Sequence, residues 1–143
     1  MGCIFMEEYK MNKKLLVGLL LLTIVGSSAV FAQQATLNGV WERASDGRRI
    51  TVSGSTGVWT AFGSPLAPSD QDAINKGWFK IGEPKWRNLK STGNLTWSGQ
   101  DFGIEYDQRT NVALKNLWNN ATFTLSADGN TLQTMYGTYT RRQ

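Results

Sequence analysis

The chain carries no His, so a Ser-His-Asp triad, a Cys-His pair, a His-based zinc site and imidazole acid/base chemistry are all excluded. Carboxylates are the remaining acid/base groups, and they cluster at Asp70 and Asp72 and again at Asp101, Glu105 and Asp107. Two carboxylates facing across a cleft could hydrolyse a glycoside. Most of these lie in or beside loop-like stretches, where acidic side chains are expected to be solvated. Oxygen ligands of this kind also suit Ca²⁺, but the spacing and glycine of an EF-hand loop are missing. Asp101-Phe102-Gly103 matches a kinase tripeptide by coincidence, since the chain is too short for a kinase domain and lacks its other motifs. The expectation is a protein that is not an enzyme, with no metal and no cofactor.

The other chemistry is aromatic. Six Trp occur in 143 residues, more than packing strictly requires. Trp59, Trp86, Trp97 and Trp118, with Phe123, are candidates for the wall of a small-molecule pocket, because such pockets are mostly apolar and aromatic. Two other uses of the same residues stay open: a solid aromatic core, or an exposed Trp platform that stacks sugar rings. The stretch from Trp78 to Lys90 is both basic and aromatic, with Lys80, Lys85, Trp86, Arg87 and Lys90. Stacking and phosphate contacts on single-stranded nucleic acid would use such residues. A strand pair with cations outside and aromatics inside explains them as well, and the modest net charge of +4 favours that reading. No nucleic-acid partner is expected.

The elements that must position these residues read as short strands and tight turns. Runs rich in Val, Ile, Thr and aromatics recur about every ten residues. The expected strands are 37–44, 49–53, 58–62, 78–81, 85–90, 95–98, 121–126 and 131–141. Segments 102–106 and 111–118 are ambiguous. Asp128-Gly129 is the strongest hairpin signal in the chain. Alternation points Leu95 and Trp97 inward, as it does Phe123 and Leu125, and Phe79 and Ile81. The long connection 64–76 contains Pro65 and Pro68, and residues 70–75 could form one helical turn. Even spacing and tight turns predict an all-β fold, an antiparallel up-and-down barrel of about eight strands. Closure removes exposed edges and leaves an interior for side chains or one small ligand. A β-sandwich is the alternative.

Leu37-Asn38-Gly39-Val40-Trp41 places Gly-x-Trp on the first strand, and the chain ends Gly137-Thr138-Tyr139-Thr140-Arg141-Arg142. This pair of ends resembles the lipocalin-like (calycin) barrels, and the whole is similar to the small lipocalin-like proteins secreted by bacteria. The resemblance implies that Gly39, Trp41 and Arg141 close one end of the barrel, with the Arg141 guanidinium over the Trp41 ring and Arg142 as second choice. It also implies binding of a small apolar or amphipathic molecule. Thr96-Trp97-Ser98-Gly99-Gln100 is similar to avidin-type barrels, which share the superfold.

Residues 11–32 have the anatomy of a secretory signal peptide. Lys13 and Lys14 precede an apolar run from Leu15 to Val25, and small residues lead to Ala32. The run is short of the ~20 residues a membrane span needs. Glu7 and Glu8 ahead of the basic region suggest Met11 as the true start. The expectation is a signal peptide over 1–32 and one barrel domain over 33–143, secreted or periplasmic, without a membrane span in the mature chain. The single Cys is Cys3, so the domain must be held by its core rather than by disulfides. Carbohydrate binding through exposed Trp, or an interaction barrel with a filled core, are the other functions these features allow.

Overall fold

The computed structural model describes residues 35–143; the expected signal peptide, Met11 and Cys3 lie outside them. Eight strands follow one another around a closed barrel: β1 (Gly39–Arg43), β2 (Arg49–Ser53), β3 (Thr56–Ala61), β4 (Pro84–Gly93), β5 (Thr96–Tyr106), β6 (Ala113–Leu125), β7 (Thr131–Thr134) and β8 (Gly137–Arg142). Every neighbouring pair is antiparallel, and β8 returns to β1 with Trp41 opposite Arg141. The fold is therefore an all-β up-and-down barrel. Its lower end holds the N-terminal approach, the β2–β3, β4–β5 and β6–β7 turns and the end of β8. The remaining turns and the long β3–β4 connection lie at the upper end.

Alternating residues fill the interior: Trp41, Ile50, Val52, Trp59, Trp86, Trp97, Phe123, Leu125, Leu132 and Tyr139 are all buried. Each strand turns one side inward because successive side chains point to opposite faces. Gly129 sits at φ 75 in the β6–β7 turn, where a side chain would be strained, and Asp128 braces that turn by accepting from the Ser126 hydroxyl and the Asn130 N–H.

The expected eight strands are reached by a different partition. Trp78–Ile81 is not a strand. The turn that ends helix α1 (Pro68–Asn75) takes this segment, with Gly77 at φ 72 and the Trp78 N–H donating to Ala73 O. Phe79 is buried as expected, but Ile81 is 54% exposed because the run does not alternate. In compensation, residues 131–141 divide into β7 and β8. Thr134 makes the division, its hydroxyl donating to Gly137 O and accepting from the Tyr136 N–H. The ambiguous segments extend strands already counted. Phe102–Tyr106 continues β5, and most of Asn111–Trp118 merges with most of Ala121–Ser126 into the 13-residue β6, Ala113–Leu125. Asn119-Asn120 does not turn the chain, because Asp101 and Gln100 of β5 pair opposite it and ladder pairing outweighs local turn preference.

Helix α1 has Pro68 in its first turn, where a missing N–H is harmless. It is tied to the upper end of β6, since Asp72 accepts from the Ala113 N–H at 2.8 Å and Lys76 donates to Ala113 O at 2.5 Å. Asp70 on the same helix reaches Arg48 just ahead of β2. These bonds fix the β3–β4 connection over the upper end of the barrel.

Candidate functional site

The lower end is a closed plug. Trp41 is fully buried, and its Nε1 donates to Leu37 O at 2.8 Å. The Arg141 guanidinium carbon lies 4.3 Å from the Trp41 ring centroid, a cation–π distance. Arg141 also donates through Nε to Gly129 O at 2.8 Å, through Nη1 to Asn38 O at 2.5 Å and through Nη2 to Thr36 O at 2.9 Å. A Cβ on Gly39 would come within 2.8 Å of Arg141 Nη1, so glycine makes room for the arginine. Arg142 points elsewhere, to Glu42 at 3.5 Å, with its side chain 53% exposed.

The upper half of the interior is charged. Lys85 at the start of β4 donates to Asp101 Oδ1 at 2.6 Å and also to Phe102 O. Trp86 Nε1 donates to the other oxygen, Asp101 Oδ2, at 2.7 Å. The ladder sets this up, since Trp86 and Asp101 stand opposite each other on β4 and β5. Asp101 shares the inner face of β5 with Trp97. Arg48 pairs with Asp70 at 2.6 Å and lies 3.7 Å from Asp46, which also holds Arg43 at 2.5 Å. Both cations approach Trp59: the Arg48 guanidinium at 4.9 Å from its ring centroid and Lys85 Nζ at 5.1 Å.

Burial dominates the titration of this group. It pushes the Asp101 carboxyl above and the Lys85 ammonium below their ordinary ranges, against their mutual attraction. Burial also pushes the Tyr139 hydroxyl up to about 12. At Asp46 burial acts the same way, but the hydrogen bonds from Arg43 and the Arg48 N–H, with both positive charges, outweigh it and hold the carboxyl below its usual range.

Three buried polar atoms in this half find no hydrogen-bond partner within the protein: Arg48 Nε, Trp59 Nε1 and the Tyr139 hydroxyl. Their residues are 5%, 1% and 1% exposed. A buried donor left unmatched costs roughly 1–3 kcal/mol, so such atoms normally meet water or a ligand.

Of the sequence-predicted pocket residues, the barrel gathers Trp59, Trp86, Trp97 and Phe123 inside. Trp86 meets Phe123 at 5.1 Å and Tyr139 at 5.2 Å between ring centroids, and Trp59 meets Phe79 at 5.3 Å. Trp97 stands opposite Phe123 in the β5–β6 ladder. Trp118 is separate from this set. It lies on the outer face of β6, against Phe102 at 4.9 Å, with the Arg87 guanidinium 3.9 Å over its ring. None of the six Trp is exposed, Trp78 and Trp118 being intermediate.

Sequence reasoning missed Arg48, Lys85, Asp101 and Tyr139. Lys85 was expected on the outer face and Asp101 in solvent, yet both are buried. The available signal was alternation, since Trp97, Gly99 and Asp101 recur on every second position. The other carboxylates are bound to local partners. Asp72 holds Lys76, Glu105 holds Lys115, and Asp107 accepts from the Arg109 N–H. Among the described residues no group of three acidic, Cys or His side chains is placed to hold a metal ion, and no helix is long and apolar enough to cross a membrane.

On the outer wall, an open groove of about 430 Å³ lies along β4, β5 and β6, lined by Asn88, Ser98, Gly99, Gln100, Asn120 and Thr122 among others. It adjoins a bulge where Asn88 takes φ 54 and the β4–β5 register shifts between Arg87 and Lys90.

No protein-family model, curated protein or solved structure matches this chain.

Proposed function

We propose that the protein is a non-enzymatic, lipocalin-like binding barrel that takes the polar end of a small apolar or amphipathic molecule into its upper interior. The observation that carries this reading is the unmatched trio of Arg48 Nε, Trp59 Nε1 and Tyr139 hydroxyl, all buried among aromatic rings. A core selected for stability alone would favour apolar groups there over unmatched donors. The plug at Trp41 and Arg141 supports access from the upper end, past the β3–β4 connection. The leader-like residues 11–32 support action outside the cytoplasm, in the periplasm or beyond.

Tryptophan fluorescence titrated with alcohols, ketones, esters, retinoids and fatty acids tests the proposal, with native mass spectrometry to count bound molecules. A saturable one-to-one complex with at least one class supports it. Flat titrations across the whole panel sink it.

The close ring contacts favour a second reading, an interaction barrel with a filled core. Ordered water on all three unmatched atoms in a high-resolution crystal, together with flat titrations, would select that reading. Sugar stacking on an exposed Trp finds less support, because every Trp is at least partly covered.

A further inference from the structure

The outer wall carries chemistry that the interior does not use. Two rows of side chains cross β4, β5 and β6 there. Arg87 stands opposite Gln100, and Gln100 opposite Asn120. Lys90 stands opposite Ser98, and Ser98 opposite Thr122. Directly opposed residues share one face of a sheet, so each row runs from a cation on β4 to two uncharged hydrogen-bonding side chains. In a regular strand Arg87 and Lys90 would point to opposite faces. The bulge at Asn88, with φ 54, adds a residue and turns both outward. The groove of about 430 Å³ lies along these rows, lined by Asn88, Ser98, Gln100, Asn120 and Thr122 among others. Small-molecule clefts usually measure roughly 300–1,000 Å³.

Both cations lack a carboxylate, since every ion pair among the described residues lies elsewhere. Arg87 is nonetheless held in place. Its guanidinium lies 3.9 Å over the Trp118 ring, and its Nε donates to Gln100 Oε1 at 2.9 Å. That bond leaves the forked terminal nitrogens for a carboxylate. Asn88 Nδ2 donates to the same Oε1 at 3.4 Å, which orients the Gln100 amide. Amides and hydroxyls supply both donors and acceptors, the complement of sugar hydroxyls. Nucleic-acid bases would find no ring to stack on. No aromatic side chain lines the groove, and Trp118 is covered by Arg87 and by Phe102 at 4.9 Å.

We propose that this groove binds an acidic saccharide, a short uronic-acid chain. Its carboxylates pair with Arg87 and Lys90, and its hydroxyls bond to Ser98, Gln100, Asn120 and Thr122. The net charge of +4 favours the approach of such an anion. The site is separate from the interior and does not rest on the binding reading above.

Isothermal titration calorimetry on the full chain compares trigalacturonate with maltotriose, a neutral sugar of the same length, and with hexathymidylate. Trigalacturonate is expected to bind roughly tenfold more tightly than maltotriose and to weaken as salt screens the cations. Lys90→Gln and Asn120→Ala are each expected to weaken it severalfold. Lys80→Gln, outside the groove, should leave it unchanged. All three side chains are exposed, so the fold is not at stake. Maltotriose binding as tightly overturns the acidic assignment. Tighter hexathymidylate puts a phosphate backbone in the groove and overturns the saccharide. A loss on Lys80→Gln as large as on Lys90→Gln reduces the effect to net charge and overturns the site. Binding of none of the three probes overturns the inference and leaves the interior reading untouched.

Discussion

Both ends of the barrel set a cation against a buried indole, and they differ in how the hydrogen bonds are completed. At the lower end Arg141 lies 4.3 Å over Trp41, and its donors reach backbone carbonyls of Thr36, Asn38 and Gly129. At the upper end Arg48 and Lys85 approach Trp59, but their partners are carboxylates drawn from separate elements. One arrangement is complete and local. The other leaves three buried polar atoms unmatched. The same pair of residue types can therefore serve as a fastener or as a poised surface, and the difference lies in what the remaining donors meet.

The largest expected effect tests the upper end. Asp101→Ala removes the partner of both Lys85 and Trp86 Nε1 in a buried interior. Breaking a buried pair from one side costs about 3–5 kcal/mol, so the variant should unfold at much lower denaturant. Lys85→Met in the same background should recover most of that loss, since it removes the stranded charge. A cost below about 1 kcal/mol for Asp101→Ala would show that the pair is wetter than its burial indicates.

At the lower end, Arg141→Ala should cost about 2 kcal/mol, from lost carbonyl bonds and the uncovered face of Trp41. Urea denaturation measures it. An equal cost for Arg142→Ala would contradict the plug, because Arg142 is exposed and meets only Glu42.

How much of this was legible depended on whether the signal was local. Asp128-Gly129 is a turn by its own chemistry, and the hairpin lies there. Gly-x-Trp and the terminal arginine occupy opposite ends of the chain, yet barrel closure puts Trp41 directly across from Arg141. Trp78–Ile81 misled because apolar content resembles a strand while the flanking glycines and the helix end decide otherwise. Met135-Tyr136 has no turn composition, and Thr134 supplies the turn bonds instead. The charged interior was the hardest to see. Lys85 and Asp101 are ordinary surface types, and only their mutual pairing across β4 and β5 makes burial tolerable. Nothing within either strand reports that partner.

Acid separates carboxylates by the sign of their shifts. Asp46 is held below its ordinary 3.8, so its stabilisation is full above that pH and is lost below it, as pH falls through the lowered folded value. Asp101 is shifted upward, so protonation favours the fold as pH falls through its raised range. Asp46→Asn should cost about 1 kcal/mol at neutral pH and flatten the loss of stability below pH 3.8. An unchanged acid slope in chemical denaturation would remove Asp46 from the account.

The smallest expected effect is the sharpest test of the unmatched atoms. Tyr139→Phe removes a hydroxyl that has no partner and keeps a ring that packs on Trp86. At neutral pH the stability should hold level or rise, because the variant removes an unmatched buried group and breaks no protein hydrogen bond. Alkali gives a second readout. The Tyr139 hydroxyl is pushed up to about 12, so the folded state keeps its proton where the unfolded state has lost it. That contribution is full below pH 10 and is lost as pH rises from 10 toward 12, amounting to about 3 kcal/mol. Lys85 is shifted downward and acts with the opposite sign, but it is common to both proteins, so their difference isolates Tyr139. The variant should therefore lose less stability than the native protein between pH 10 and 12. A neutral-pH loss above about 1.5 kcal/mol would mean that the hydroxyl already makes a strong bond, and the two ends of the barrel would then be alike.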